Sequence, residues 1–233
     1  MHIAHDYTFA NGIGTGARQN LTPPEKEVTM MMATVNASAF QLPDWLIEYE
    51  KTIANTNMNL NTDEDKMKVA IEVSRQSVLR KTGGPFGCAI FEVSEDGKSS
   101  KLFCLGSNLV TSANNCTLHG EMVAIQVGCA RMNSFTFAKK SPSCSGNFEL
   151  FTSCEPCAMC LGAILWSGVR RVVCGAGKAD AESIGFAEGP VFQQSYKYME
   201  DNGVKVVKGV LREEAASVLQ LYQAQGNAIY NGK

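Results

Sequence analysis

From Pro43 onward, apolar positions recur at spacings that switch between helical and extended. PDWLIEYEKTIA, residues 43–54, predicts a first, partly amphipathic helix. Thr62 with Asp65 three residues later resembles a capping box, and Met67, Ala70, Ile71, Ser74 and Val78 then share one helical face. The Gly83-Gly84-Pro85 cluster stops that helix. GCAIFEVS and KLFCLGS follow as two strands around a turn at Glu95-Asp96-Gly97, which makes a hairpin.

Beyond the hairpin the pattern alternates. HGEMVAIQVGCARM predicts a helix, FELFTS a strand, and CAMCLGAILWS a helix closed by Gly168. VRRVVCGAG reads as a strand, VFQQSYKYMEDNG as a helix, VKVVKGVL as a strand and REEAASVLQLYQAQ as the last long helix. Strands alternating with helices of about 10–15 residues imply helices on both faces of one sheet. The expected fold class is α/β, three layers (α/β/α) around a mixed, about five-stranded central sheet, the opening hairpin making it mixed. This single domain spans 43–233. Residues 1–42 follow neither period; their Gly, Asn and Thr, with Pro23-Pro24, predict a disordered or loosely docked extension.

Charge narrows the function classes. Lys+Arg number 21 and Asp+Glu 23, a formal net charge of -2, which argues against affinity drawn mainly from phosphates. Nucleic acid is therefore not the expected partner. No apolar run approaches the roughly 18 residues of a membrane-spanning helix, and the opening MHIAH begins no apolar stretch of a secretory leader. The nine cysteines, an odd count, fit reduced thiols and a cytoplasmic location. Most of them, such as Cys88 and Cys174, sit in apolar runs and read as small buried hydrophobes.

Two cysteines stand apart. Cys157 and Cys160 are three positions apart at a helix start, so both sulfurs project from one face, and the helix N-terminus favours their thiolates. His2 and His5 fall in the extension, leaving His119 as the histidine of the folded body. One imidazole and two thiolates suit a tetrahedral zinc ion with one position left for water. Glu121, two residues after His119, is placed to take the water's proton, the H-x-E with P-C-x-x-C pattern of zinc deaminases. The competing arrangement adds Cys154 as a fourth ligand and makes the site structural. Against it, Cys154 precedes Glu155-Pro156 in a strand-to-helix connection, and Glu121 would have no task.

With these residues the sequence resembles the cytidine deaminase superfamily over most of 65–233. Gly84-Pro85-Phe86-Gly87, Thr152-Ser153-Cys154-Glu155-Pro156-Cys157 and Ile184-Gly185-Phe186 are most similar to its guanine deaminase branch. The resemblance implies that His119, Cys157 and Cys160 hold zinc and that Glu121 shuttles protons, with Glu155 as a second acidic residue assisting transfer. It implies an amide from Asn108 against the base, Phe86 packed on it, Trp166 as a second wall, and Asp180 receiving the donors of the purine's N–H edge. Tyr230 would close the pocket from the C-terminal tail, which in some relatives swaps between dimer partners. Gly120, between His119 and Glu121, stands where guanine deaminases usually carry Ala and where the backbone approaches the substrate; TLHGE is more like the fungal cytosine deaminases.

The expected activity is zinc-dependent deamination of a nucleobase, guanine to xanthine and ammonia, with cytosine or another small amino-heterocycle as the alternative. A tRNA adenosine deaminase shares both motifs but needs a basic surface, and the helix REEAASVLQLYQ is not basic. A non-enzymatic zinc scaffold is the third reading. Apolar positions on that last helix, and the resemblance, point to a homodimer.

Overall fold

The computed structural model of the chain describes residues 40–56, 58–139 and 147–231; nearly all of the 1–42 extension lies outside them. Of its last positions, Phe40 is buried and Leu42 packs against both cores, so the packed body begins before Pro43.

Five strands form one sheet in the order β2-β1-β3-β4-β5. They are β1 (Gly87–Val93), β2 (Ser100–Ser107), β3 (Asn147–Cys154), β4 (Arg171–Ala176) and β5 (Lys205–Val207). β1 runs antiparallel to both β2 and β3, and β3, β4 and β5 are mutually parallel. The mixed five-stranded sheet expected from the hairpin and the alternation is present.

The helices are α1 (Asp44–Asn55), α2 (Asp63–Leu79), α3 (Gly120–Met132), α4 (Ala158–Ser167), α5 (Lys178–Ser183), α6 (Gln193–Asp201) and α7 (Arg212–Ala224). The short α5 has no counterpart in the apolar periodicity, because six residues complete less than two turns. At α2 the Thr62 hydroxyl accepts from the Asp65 amide at 3.1 Å and donates to the Asp65 carboxylate at 2.7 Å, so the expected cap is in place. Gly168 closes α4 at φ 82°, a left-handed conformation that a side chain disfavours.

Every residue of β1 is buried, which is why GCAIFEV is continuously apolar but for Glu92. Ala89 and Phe91 face one core with Leu105, Phe151 and Val173, covered by α1, α2 and α7. Cys88 and Ile90 face the other with Cys104, Leu150, Val172 and Cys174, covered by α3, α4 and α6. Ala215, Val218, Leu219 and Tyr222 put the apolar stripe of α7 into the first core, against its own chain. That stripe is therefore not the dimer surface expected from REEAASVLQLYQ.

Candidate metal centre and base cavity

Two helix starts meet at one point. His119 is the N-cap residue of α3 and Cys157 that of α4, with Cys160 in the first turn of α4. Their ligand atoms lie within 4.8 Å of one another, His119 Nδ1 being 3.4 Å from Cys157 Sγ. Cys154 ends β3 with its thiol directed at the Gly177 carbonyl, 3.7 Å away, and is not part of the group. One imidazole and two sulfurs could hold a metal ion while leaving a position that the protein does not fill.

The electrostatics favour ionised sulfur at Cys157 and oppose it at Cys160, whose thiol is pushed up by its bond to Cys157 and by burial. A hydrogen bond from Cys160, with the charge and hydrogen bond of His119, brings Cys157 down to about 4. For His119, burial works against the charged form, but the Cys157 thiolate outweighs it and the pKa rises. Glu121, in the first turn of α3, is buried; that burial, reinforced by the Cys157 thiolate, raises its carboxyl. Thr152 on β3 donates to Glu121 Oε1 at 3.1 Å and fixes its orientation.

Beside this group is a cavity of about 40 Å³ lined by Glu121, Glu155, Glu188, Phe86, Phe186 and Tyr230 together with the ligands His119 and Cys157. Phe86 and Phe186 meet edge to face at 4.9 Å, and Phe186 meets Tyr230 at 5.1 Å. The Tyr230 hydroxyl is buried and lies 1.7 Å from where a Cβ on Gly84 would stand. Only a residue without a side chain admits it there. Hydrogen bonds of 2.9 Å from the Ala187 amide to Asn231 Oδ1 and from Asn231 Nδ2 to the Gly185 carbonyl pin the tail over the cavity of its own chain.

Asn108 is fully buried and is not among the residues lining the cavity, its amide N–H bonding the Phe86 carbonyl at 3.0 Å. Its Oδ1 accepts from the amides of Gly84 and Val110, at 3.4 and 3.2 Å, whereas its Nδ2 has no partner among the described residues. Glu155 Oε2 takes the Tyr196 hydroxyl at 2.6 Å and the Lys208 ammonium at 2.9 Å. Gly120 does not face the cavity: a Cβ there would lie 3.0 Å from the Phe86 carbonyl oxygen, so its small size serves the close approach of α3 to the start of β1.

Besides Asn108 and Gly120, two more expected contacts are absent from the lining of the cavity. Trp166 projects from the last turn of α4 and is 84% exposed. Asp180 caps α5, accepting from the Gly177 amide at 2.7 Å, and is clasped by Arg212 through bonds of 2.9 and 3.0 Å that lower its pKa. Glu188 joins Glu121 and Glu155 as a third carboxyl facing the cavity, and the sequence reading missed it. Burial first, then the nearby charges of Cys157 and Glu121, push it up to about 8. A single Glu in AEGPVF belongs to no periodic element and gave no signal.

The fold and the paired helix starts define a class of proteins. Residues 60–176, half of the chain, match the family described as the cytidine and deoxycytidylate deaminase zinc-binding region. Guanine deaminase of Bacillus subtilis is 31% identical over 150 residues, covering 64% of this chain and 87% of that protein. The tRNA-specific adenosine deaminase of Haemophilus influenzae is 30% identical over 161 residues, 69% of this chain and 82% of that one. Guanine deaminase from Nitrosomonas europaea superposes with a TM-score of 0.69 at 33% identity, covering 78% of this chain and 94% of that structure. A structure solved in complex with 2,6-diaminopurine gives a TM-score of 0.70 at 34% identity, covering 82% and 94%. The chain belongs to the cytidine and deoxycytidylate deaminase family, in its guanine deaminase branch.

Proposed function

We propose that this protein is a zinc-dependent aminohydrolase that converts guanine and water to xanthine and ammonia. The observation that carries the reading is the buried Glu121 carboxyl, two residues along α3 from an imidazole that meets two cysteine sulfurs. The donor set fits zinc, which when bound supplies the positive charge that brings water's pKa from about 15.7 towards 7.

The chain's own residues do the rest. Glu121, steadied by Thr152, accepts one proton from water and passes it to the ring, then carries the water's second proton to the departing amine. Phe86 and Phe186 enclose the flat base, and the unpartnered Nδ2 of Asn108 is a donor for a ring acceptor or carbonyl. Guanine's N1–H and 2-amino group need acceptors, and Glu155 and Glu188 are the carboxyls available in the cavity for them. Glu188 is also a second carboxyl able to move a proton. Tyr230 shuts the cavity, so the tail moves to admit a base: about 40 Å³ is far below the roughly 300 Å³ of an ordinary ligand pocket.

We further propose a cytoplasmic homodimer, joined through the outer face of α4. That helix, AMCLGAILWS, carries no charge. The Phe137 amide bonds the Ser167 carbonyl at one end of α4, and the Ala158 amide bonds the Glu188 carbonyl at the other. These bonds bring the neighbourhoods of Phe135, 80% exposed, and Phe192, 61% exposed, to the two ends of a face that holds Trp166. Lys139 Nζ lies 4.6 Å from the centre of the Phe135 ring, so the uncharged part of this surface is α4 itself, and that apolar helix face suits a second copy related by a twofold axis.

The test is ammonia release by the zinc-loaded protein from guanine, guanosine, cytosine, cytidine, adenine and ammeline in parallel. Guanine is expected to dominate. Activity on cytosine alone would overturn the substrate while leaving the metal chemistry, and silence on every base with salt-sensitive tRNA binding would favour the adenosine-editing reading that the 30% identity to a tRNA deaminase keeps open.

A further inference from the structure

A second cavity, of about 310 Å³, opens beyond the carboxyl ends of β4 and β5, the end of a parallel sheet at which α/β proteins hold ligands. It shares Glu155 with the base cavity, and Lys178, Lys208 and Arg212 line it. Gly177 leaves its floor bare: a Cβ there would project among Asp180 Oδ2, Glu155 Oε1 and Arg212 Nε, at 3.5, 3.6 and 3.9 Å.

Lys208 and Arg212 keep donors to spare, whereas Lys178 would exchange one of its present partners for an anion. Lys208 gives one bond to Glu155 and lies 3.2 Å from the centre of the Tyr196 ring. Arg212 gives two bonds to Asp180, leaving its other guanidinium N–H groups free of that pair. Lys178 reaches the carbonyls of Gly189 and Val191, both at 3.3 Å, and exposed Glu182 at 3.6 Å. The start of α7 adds more: Leu211 caps it in a left-handed conformation with no side-chain bond, and the first intrahelical backbone bond runs from the Ala215 amide. The amides before it have no helical acceptor. The acidic residues of that turn, Glu213 and Glu214, are not among the residues lining the cavity.

We propose that this second cavity is a binding site for a phosphate-bearing anion, held by Lys178, Lys208 and Arg212. A phosphate offers several acceptor oxygens to donors arriving from different elements, and the volume admits a nucleoside monophosphate as well as the free ion. The site reports on the base cavity through one side chain. Lys208 bonds Glu155, so an anion that recruits Lys208 loosens the carboxylate that faces the base. The coupling rests on the deaminase reading above; the binding does not.

The experiment is calorimetric titration of the full-length, zinc-loaded protein with inorganic phosphate and, separately, with guanosine 5′-monophosphate. The comparison proteins are Lys208→Gln and Lys178→Gln. The latter touches neither Glu155 nor the metal ligands. Wild-type binding of either ligand at or below about 1 mM, weakened tenfold or more in both variants, is the expected result. Phosphate binding as tightly as the nucleotide identifies the free ion as the ligand; a clear preference for the nucleotide identifies a phosphomonoester. With the anion bound, guanine KM is expected to shift by about fivefold. No binding at about 10 mM of either ligand, or binding that both variants retain in full, overturns the proposal. The binding outcomes are read without turnover, so a protein inactive on guanine leaves them unchanged, and only the KM shift needs an active enzyme.

Discussion

At Glu121 a single carboxyl has both the position and the burial that its proposed task needs. Glu121→Gln keeps the shape and the Thr152 contact but cannot take a proton. We expect the variant to retain its metal by elemental analysis while ammonia release falls by about 10³-fold. Turnover near wild type would remove Glu121 from the mechanism. Asp180 offers the opposite test, because it spends its oxygens on Gly177 and Arg212 outside the base cavity. Asp180→Asn is expected to leave guanine KM within about twofold and to lower the melting temperature by about 2–4 °C through the weakened α5 start. A large rise in KM with unchanged stability would restore it to base recognition.

The elements that present the site are held from the opposite end of the sheet. Arg171, at the start of β4, bonds Asp63 in the first turn of α2 at 2.8 Å and Glu149 on β3 at 3.3 Å; Lys66 of α2 reaches the same Glu149 at 2.8 Å. The Arg171 hydrogen bond is the largest influence on Asp63 and lowers its pKa. A carboxylate whose pKa is depressed on folding adds stability above its unfolded value, and that stability is lost as pH falls through the folded value. Urea melts of Asp63→Asn against wild type should therefore differ by about 1 kcal/mol at pH 7, the pair being part-exposed, with the gap closing as pH falls below about 4. A gap independent of pH would mean that the pair does not anchor α2.

Across the whole molecule, Trp166 on the outer face of α4 is the most exposed large hydrophobic side chain among the described residues. Trp166 alone presents roughly 200 Å² of aromatic surface, about a quarter of the roughly 800 Å² each partner contributes to a standard interface. Because Cys157 and Cys160 open the same helix, a dimer on this face would also brace the metal ligands. Light scattering of the wild type is expected to give a dimer and of Trp166→Glu a monomer. A monomeric wild type, or a variant that stays dimeric, would set this face aside.

The pattern along the chain determined which segments become helices and strands, because periods of 3.6 and 2 are local properties, and Gly168 and Thr62 closed and opened elements where their conformational preferences required. The triad His119, Cys157 and Cys160 was legible for a related reason. Each ligand sits at or beside a helix start, and helix starts are written in local sequence. Of the cavity walls, Phe86, Glu155 and Tyr230 were named only through the resemblance, and Glu188 and the wall role of Phe186 were not legible. Glu188 and Phe186 come from an aperiodic loop, and only the folding of the C-terminal tail over residues 185–187 brings Tyr230 to them. Trp166 and Asp180 show the same limit from the other side: a side chain at a familiar place in the chain can be turned outward by one helix's rotation, or claimed by an arginine 32 residues away. Those outcomes depend on which surfaces meet, a relation between distant segments that is decided by tertiary packing and not by local period.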